Sequence, residues 1–235
     1  RDRSPSRGLG DVYKRQMLAD KRAMRAAWQR KREALLRGDG GAALRAMTEA
    51  EAQALLGKAS KEGDVEGMER AAAAGADVRA AVYHWDGSMG GSCTAAFVAA
   101  GHNNGAGLRF LVGACGVDPN AVGDTYRGFT PIHEAACHKG NTDAVTVLLA
   151  LGADPTVADK DGYTPCIDAA YYSDGVPCLR ALAAGGPGGA LVGDAVNAVN
   201  QDTGWTALDY VLEDNHAEFA AVLRDELGGK RAADL

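Results

Sequence analysis

A constant spacing between threonine and glycine constrains this chain more than any other feature. Four segments align with threonine in second place, and they read CTAAFVAA, FTPIHEAA, YTPCIDAA and WTALDYVL. The distance from that threonine to a closing glycine is 22 residues in every copy, and the pairs are Thr94–Gly116, Thr130–Gly152, Thr164–Gly186 and Thr206–Gly228. A degenerate fifth copy precedes them and closes at Gly75. Self-similarity at a fixed period predicts a stack of repeated units instead of one globular core.

Each unit has the sequence of a helix pair. Thr130 can cap a first helix, with Pro131 in the first helical position, where a missing N–H costs nothing. Ala135 then lies on the buried side, where a small side chain lets neighbouring helices pack closely. A second apolar stretch around Leu148 ends at Gly152, which can adopt the left-handed conformation that terminates a helix. One such pair cannot bury its own apolar surface, so neighbouring pairs must stack.

Residues 128–163 resemble an ankyrin repeat. Thr130–Ala135 matches the T-P-L-H-x-A signature, and Gly152–Asp154 matches the G-A-D turn. The resemblance extends over roughly residues 50–228 and implies an all-α solenoid of about five helix-turn-helix units with long fingers between them. An extra N-terminal helix is expected before the stack. The domains expected are a tail at 1–16, a basic helix and linker at 17–47 and a repeat domain at 48–235, with repeats near 53–80, 94–120, 130–159, 164–198 and 206–230.

The connections between the units vary in length, unlike the helix pairs. Residues 76–93 and 187–205 are the two longest, and insertions in a repeat stack map to loops on one side, which is often the binding side. The first finger carries Tyr83, His84 and Trp85. It either offers an aromatic anchor to a partner or folds back onto its own repeat.

The resemblance implies protein recognition on a concave surface made of fingers and first helices. Tyr, Trp and Arg are typical anchors of protein interfaces. The predicted partner-binding residues are Tyr83, His84, Trp85, Tyr126, Arg127, Phe129, Lys160, Asp161, Tyr163, Tyr171, Tyr172 and Trp205. Because Phe129 and Tyr163 are one repeat apart, we expect them to be neighbours. Asp159, Asp161 and Asp202 would border these aromatic residues and favour a basic partner peptide.

One segment has the look of a metal site. His133, Glu134, Cys137 and His138 approximate the zinc motif H-E-x-x-H, but the second histidine would have to stand at 137. The repeat register already explains His133, which in the resembled family makes structural hydrogen bonds. No P-loop and no nucleophile motif is present, so we expect a non-enzymatic protein without metal or cofactor.

The charge is unevenly distributed. Residues 1–37 contain 12 Lys or Arg against 4 Asp or Glu, whereas the rest of the chain contains 13 against 27. Residues 1–16 resemble translated adaptor sequence, and the alternative is a natural disordered basic tail. Residues 17–37 are helix-prone, with Met17, Met24, Trp28 and Leu35 along one stripe. This helix either packs on the first repeat, extends into solvent, or serves as a basic amphipathic target for calmodulin, an acidic surface or a membrane.

These observations leave three functions open. The first is a scaffold or adaptor that binds another protein. The second is the targeting region of a larger enzyme, such as a ubiquitin ligase or kinase, of which this chain is a fragment. The third is nucleic-acid binding through the basic arm, which the acidic body disfavours. The five cysteines lack a C-x-x-C pair, and no apolar run is long enough for a membrane span or signal segment. We therefore expect a protein of the cytoplasm or nucleus. We also expect it to be a monomer.

Overall fold

The computed structural model gives a mostly helical chain. The residues that it describes are 5–84, 92–138, 141–172, 176–184, 196–214 and 216–235. Side chains are not described for residues 5–11, 83, 84 and 172. Trp85 therefore lies outside the described residues, and the side chains of Tyr83, His84 and Tyr172 do as well.

Helices alternate with short turns along the stack. The first part contains α1 (Pro5–Arg37), α2 (Gly41–Ala46), α3 (Glu49–Glu62), α4 (Val65–Ala74), α5 (Ala95–Gly101) and α6 (Gly105–Leu108), which continues as a π-helical turn over Arg109–Ala114. The second part contains α7 (Pro131–Cys137), α8 (Thr142–Ala150), α9 (Pro165–Tyr172), α10 (Val176–Ala184), α11 (Ala207–Glu213) and α12 (Ala217–Ala221). A π-helical turn (Val222–Glu226) follows α12, and a 3-10 turn (Ala232–Asp234) lies near the C-terminus.

The helices form two layers. Helices α3, α5, α7, α9 and α11 pack in succession, and α4, α6, α8 and α10 pack in succession behind them. We call the side formed by the first set, with the loops that precede them, the inner face, and the side formed by the second set and α12 the outer face. Leu111, Leu148 and Leu182 are fully buried between the layers. The predicted alanines Ala135 and Ala169 are also fully buried, which allows the inner helices to approach closely.

The predicted helix signals are present. Thr94 and Thr206 cap α5 and α11, and Thr48 forms the expected capping box with Glu51 at the start of α3. Closing glycines adopt the predicted positive φ, which is 77° at Gly116 and 88° at Gly152. This conformation is strained for residues with a Cβ, so glycine ends these helices without that cost.

The first finger contains a short hairpin that the repeat pattern did not predict. Strands β1 (Ala81–His84) and β2 (Ser92–Thr94) pair antiparallel, with Tyr83 opposite Cys93. The hairpin leads directly into α5, so β2 joins the first finger to this helix.

Helix α1 begins at Pro5, earlier than the Met17 expected from the sequence. In the added turns, the Tyr13 hydroxyl donates a hydrogen bond of 3.4 Å to the Ala150 carbonyl at the end of α8. A segment without a hydrophobic period of its own can thus be helical when it extends an existing helix. Further along α1, Trp28 meets Phe110 edge-on at 4.9 Å between ring centroids, and Lys31 pairs with Glu69 at 2.5 Å. Helix α1 therefore packs on the outer face, and its contacts extend from the first repeat to the next.

Candidate functional site: an aromatic and acidic inner face

Four equivalent residues, each just before a helix-capping threonine, differ sharply in exposure along the stack. Cys93 and Phe129 are 3% and 1% exposed, whereas Tyr163 is half-buried and Trp205 is 37% exposed. Phe129, predicted as a partner-binding residue, is instead buried in the fold. Its ring packs with Cys93, Phe97 and Val98, so among these four equivalent positions exposure begins one repeat later, at Tyr163.

Two neighbouring side chains cover the Phe129 ring. The His133 ring stacks on it, with centroids 5.3 Å apart and planes 21° from parallel. The Arg127 guanidinium lies over the ring at 4.5 Å from its centroid. Backbone N–H groups of Tyr126 and Arg127 donate to the Asp124 carboxylate at 2.9 and 3.3 Å, which holds this loop in place. Arg127, predicted to contact a partner, is half-buried and packs on this ring.

His133 is structural, as the repeat register predicts. The Thr130 backbone N–H donates to Nδ1 of His133 at 3.2 Å, and Nε2 lies 3.2 Å from the Tyr163 carbonyl oxygen of the next repeat. This pairing assigns the ring proton to Nε2, which donates to Tyr163. Burial lowers the pKa of His133 to about 4, although bonds to the Tyr163 and Val157 backbones favour the charged form. The ring is therefore neutral near pH 7 and joins two repeats.

The hypothesis of a zinc site at His133 finds no support in the described part of the chain. There, no three His, Cys, Asp or Glu side chains are arranged to hold a metal ion. His138 instead lies 2.9 Å from the Glu134 carboxylate, one helical turn away. That hydrogen bond raises the pKa of His138, against the opposing effect of its partial burial.

Four aromatic side chains meet on the inner face of the last two repeats. Tyr210 lies at the centre, with its ring centroid 5.4 Å from Tyr163, 6.2 Å from Tyr171 and 5.1 Å from Trp205. Tyr163 and Tyr171 are also 6.2 Å apart, with planes at 62°. We call Tyr163, Tyr171, Trp205 and Tyr210 the aromatic cluster. Tyr171 is 45% exposed and Tyr210 only 6% exposed, so the cluster has a buried base and an exposed rim.

The repeat explains why these rings meet. Tyr210 stands four residues after Thr206, and Tyr171 seven residues after Thr164. The same two positions meet one repeat earlier, where the Asp168 carboxylate is close enough to raise the pKa of the Cys137 thiol. They also meet between Glu134 and Gly101, where a Cβ on the glycine would lie 2.6 Å from a Glu134 oxygen. Sequence reasoning missed Tyr210 and Asp168, although the four-residue offset from each threonine was available to identify them.

Other predicted site residues surround the cluster or hold a loop. Tyr126 is 51% exposed, and Asp161 and Lys160 are exposed. The Lys160 ammonium donates to the carbonyls of Thr125 and Tyr126 at 2.6 and 3.2 Å, so it ties two successive loops together. Asp159 caps its own turn by accepting from the Tyr163 backbone N–H at 2.7 Å.

Comparisons with known proteins agree with this architecture. Residues 96–187 match the family described as ankyrin repeats, in three copies. The 2-5A-dependent ribonuclease of Mus musculus is 48% identical over 52 residues, which cover 22% of this chain and 7% of that protein. The chain thus matches only a small part of that relative. The helix pairs, the threonine caps and the family match show that residues 96–187 contain ankyrin repeats.

Proposed function

We propose that the inner face is a protein-binding surface and that the chain is a non-catalytic scaffold or adaptor. The observation that carries the proposal is the exposed rim of the aromatic cluster. Tyr171 and Trp205 keep 45% and 37% of their surface in solvent beside rings that are already packed. Exposed aromatic side chains on a rigid base are typical anchors of a protein interface, because little side-chain freedom remains to be lost on binding.

The chemistry around the cluster favours a basic partner segment. Asp161 and Asp202 are exposed near the ends of the loops that precede α9 and α11. The Asn200 amide donates to the Asp161 carbonyl at 3.0 Å, so these two loops are joined. Carboxylates beside aromatic rings complement cationic side chains, by charge and by attraction to the ring faces. Acidic loops equally disfavour a nucleic-acid backbone.

The finger residues complete the proposed surface. Tyr83, His84 and Trp85 are proposed as one edge of it, because β1 and β2 lead into the inner helix α5. Tyr172 is proposed as a further contact, since it follows Tyr171 in α9.

The test is site-specific photo-crosslinking in cells. A photoreactive residue in place of Tyr171 should crosslink a protein partner, whereas one in place of Thr146, exposed on the outer helix α8, should not give the same product. A product of equal yield from both positions, or from position 146 alone, would place the binding surface elsewhere.

A second candidate function is the targeting region of a larger enzyme. The matched relative is a ribonuclease by name, and the 52 matched residues cover only 7% of it, so a segment similar to part of this chain occurs within a longer protein. The full-length transcript decides between the two: an open reading frame continuing into a catalytic domain would favour the enzyme, and a stop codon after Leu235 with an upstream start would favour the adaptor.

The state of the thiols supports a reducing compartment, the cytoplasm or nucleus. All five cysteines lie in the described residues and none forms a disulfide, and burial raises the pKa of Cys115 and of Cys166 to about 12. Thiols outside disulfides are typical of proteins kept in reducing surroundings. Within the described residues no helix is long and apolar enough to cross a membrane. We further propose that the chain is monomeric.

A further inference from the structure

Asp168 is a buried carboxylate without a hydrogen-bond partner. Its side chain is 0% exposed, and neither Oδ1 nor Oδ2 has a partner in the described part of the chain. Burying an ionisable group in this way is unfavourable unless it is neutral or a counter-charge arrives. The fold does not require an acid here, because the equivalent positions hold Val98, Glu134 and Tyr210.

The surroundings of Asp168 are acidic. Burial raises the pKa of Asp168 well above its ordinary value, and Asp159 and Glu134 raise it further, while Arg127 lowers it. The Cys137 and Cys166 thiols also lie within its electrostatic reach. Among the described residues, Asp168, Asp159 and Glu134 thus place three carboxylates within electrostatic reach of Arg127, and Glu134 also pairs with His138.

The third repeat shows how the fold accommodates a cation next to an aromatic ring. There the chain reads Arg127-Gly128-Phe129-Thr130, and the guanidinium lies over the phenylalanine ring. The next repeat reads Asp161-Gly162-Tyr163-Thr164. An aromatic ring stands in the same position, but an acid replaces the arginine. The fourth repeat thus lacks the cation that the third repeat supplies from its own loop.

Tyr171 brings the aromatic cluster next to Asp168. The two residues are three apart on α9, so their side chains leave the helix on the same side. Tyr171 also packs on Tyr210 and Tyr163, which fixes its ring at the rim of the cluster. One turn of α9 therefore carries both a carboxylate with two unpaired oxygens and a partly exposed tyrosine ring.

We propose that Asp168 and Tyr171 form a binding site for an arginine side chain of a basic partner segment. This inference rests on the proposed function of the inner face. The guanidinium donates two parallel N–H bonds to Oδ1 and Oδ2 of Asp168 and stacks on the Tyr171 ring. Arginine is favoured over lysine because its planar fork can satisfy both oxygens at once and because it is more weakly hydrated. Because Asp168 is 0% exposed, binding requires a neighbouring side chain to move as the guanidinium enters.

The test measures the binding of a labelled oligo-arginine peptide and an oligo-lysine peptide of the same length to the full chain by fluorescence anisotropy. The arginine peptide should bind about tenfold more tightly, as expected for a bidentate ion pair that lysine cannot form. Asp168→Asn and Tyr171→Ala should each remove most of this preference. Asp143→Asn makes the same change in charge at an exposed site on the outer helix α8 and should leave the preference intact.

The pH dependence supplies a second readout. Because the bound guanidinium needs an ionised carboxylate, affinity should rise with pH until Asp168 is fully ionised, and Asp168→Asn should abolish the rise. Circular dichroism identifies any variant that fails to fold, and Tyr171→Ala, changed at an exposed ring, then carries the test.

Two results would overturn the arginine site: equal affinity for both peptides, or an equal loss in Asp168→Asn and Asp143→Asn. If position 171 still crosslinks a partner in cells in either case, the inner face remains a binding surface and only the arginine site fails. If position 171 crosslinks nothing, the proposed function itself fails.

Discussion

On the outer face, Trp28 of α1 is 7% exposed and lies edge-on against Phe110, whereas on the inner face Tyr171 and Trp205 are 45% and 37% exposed. Both faces carry large aromatic side chains near the same core. The outer face buries them with a helix from its own chain, and the inner face of the last two repeats leaves them at the surface. The comparison assigns α1 to the stability of the stack and supports the proposal that the aromatic cluster serves recognition.

This difference also bears on the basic N-terminal helix. Its apolar stripe is used inside the chain, since Trp28 is buried and Met17, Met24 and Leu35 are half-buried. A calmodulin-like protein or a membrane could bind that stripe only after α1 leaves the outer face. The exposed cations of α1 remain accessible while the helix is docked.

Trp28→Ala should give the largest loss of stability. Removing a buried indole leaves a cavity against Phe110, and such changes cost about 3–5 kcal/mol. Urea unfolding followed by circular dichroism measures the free energy of unfolding. A loss below about 1 kcal/mol, the range of a surface substitution, would mean that α1 does not pack as described and that the comparison between the faces does not hold.

His133→Ala should have the next largest effect. It removes a buried hydrogen bond to the Tyr163 carbonyl and leaves the Thr130 backbone N–H without its ring acceptor, at a cost of about 1–3 kcal/mol. His216→Ala, at an exposed residue before α12, is the matched control and should change the free energy of unfolding little. Equal losses in the two variants would contradict the structural role of His133.

Two buried groups should make stability depend on pH in opposite directions. The pKa of His133 is lowered to about 4 in the fold, so the unfolded chain binds more protons between that pH and its own pKa of about 6.5. Stability from this group is complete above about pH 6.5 and is lost as the pH falls towards 4. The pKa of Asp168 is raised, so stability from this group is complete below about pH 4 and is lost as the pH rises through its folded pKa.

Asp168→Asn isolates the second effect. An amide of the same shape cannot ionise, so the variant should become more stable than the original chain as the pH rises from about 4. Urea unfolding across a pH series measures the difference. A variant that is less stable than the original chain at neutral pH would show that Asp168 has a buried partner.

Tyr171→Ala should have the smallest effect on stability. The ring is partly exposed and makes edge contacts with Tyr163 and Tyr210, so the cost should be roughly 1 kcal/mol or less. Thermal unfolding measured beside Trp28→Ala would show the contrast between the faces directly. A cost equal to that of Trp28→Ala would assign the aromatic cluster to the core.

Much of the fold was predictable because it depends on local chemistry. The threonine caps, the proline at the start of α7, the positive-φ glycines and the role of His133 follow from residues that act within one repeat. The site was less predictable, since its exposure depends on neighbours from other repeats. Phe129 and Tyr163 occupy the same position within their repeats. Arg127 covers the Phe129 ring, whereas the residue equivalent to Arg127 in the loop before Tyr163 is Asp161.

The placement of α1 shows the same limit. The spacing of Met24 and Trp28 predicted an amphipathic helix, but no local signal shows that this stripe packs against Phe110 and, near its start, against α8. The position at which an added helix packs on a repeat stack depends on shape and on the total apolar area buried, which only the assembled structure reveals.

The most direct test of the central claim compares the two faces with the partner captured through position 171. Its affinity should be measured for Tyr171→Ala with Trp205→Ala and, in parallel, for the outer-face pair Asp143→Ala with Thr146→Ala. The account predicts that the inner-face pair weakens binding about tenfold or more, as expected for interface anchors, and that the outer-face pair leaves it unchanged. Unchanged affinity in the inner-face pair, with circular dichroism intact, would contradict the claim that the inner face binds the partner.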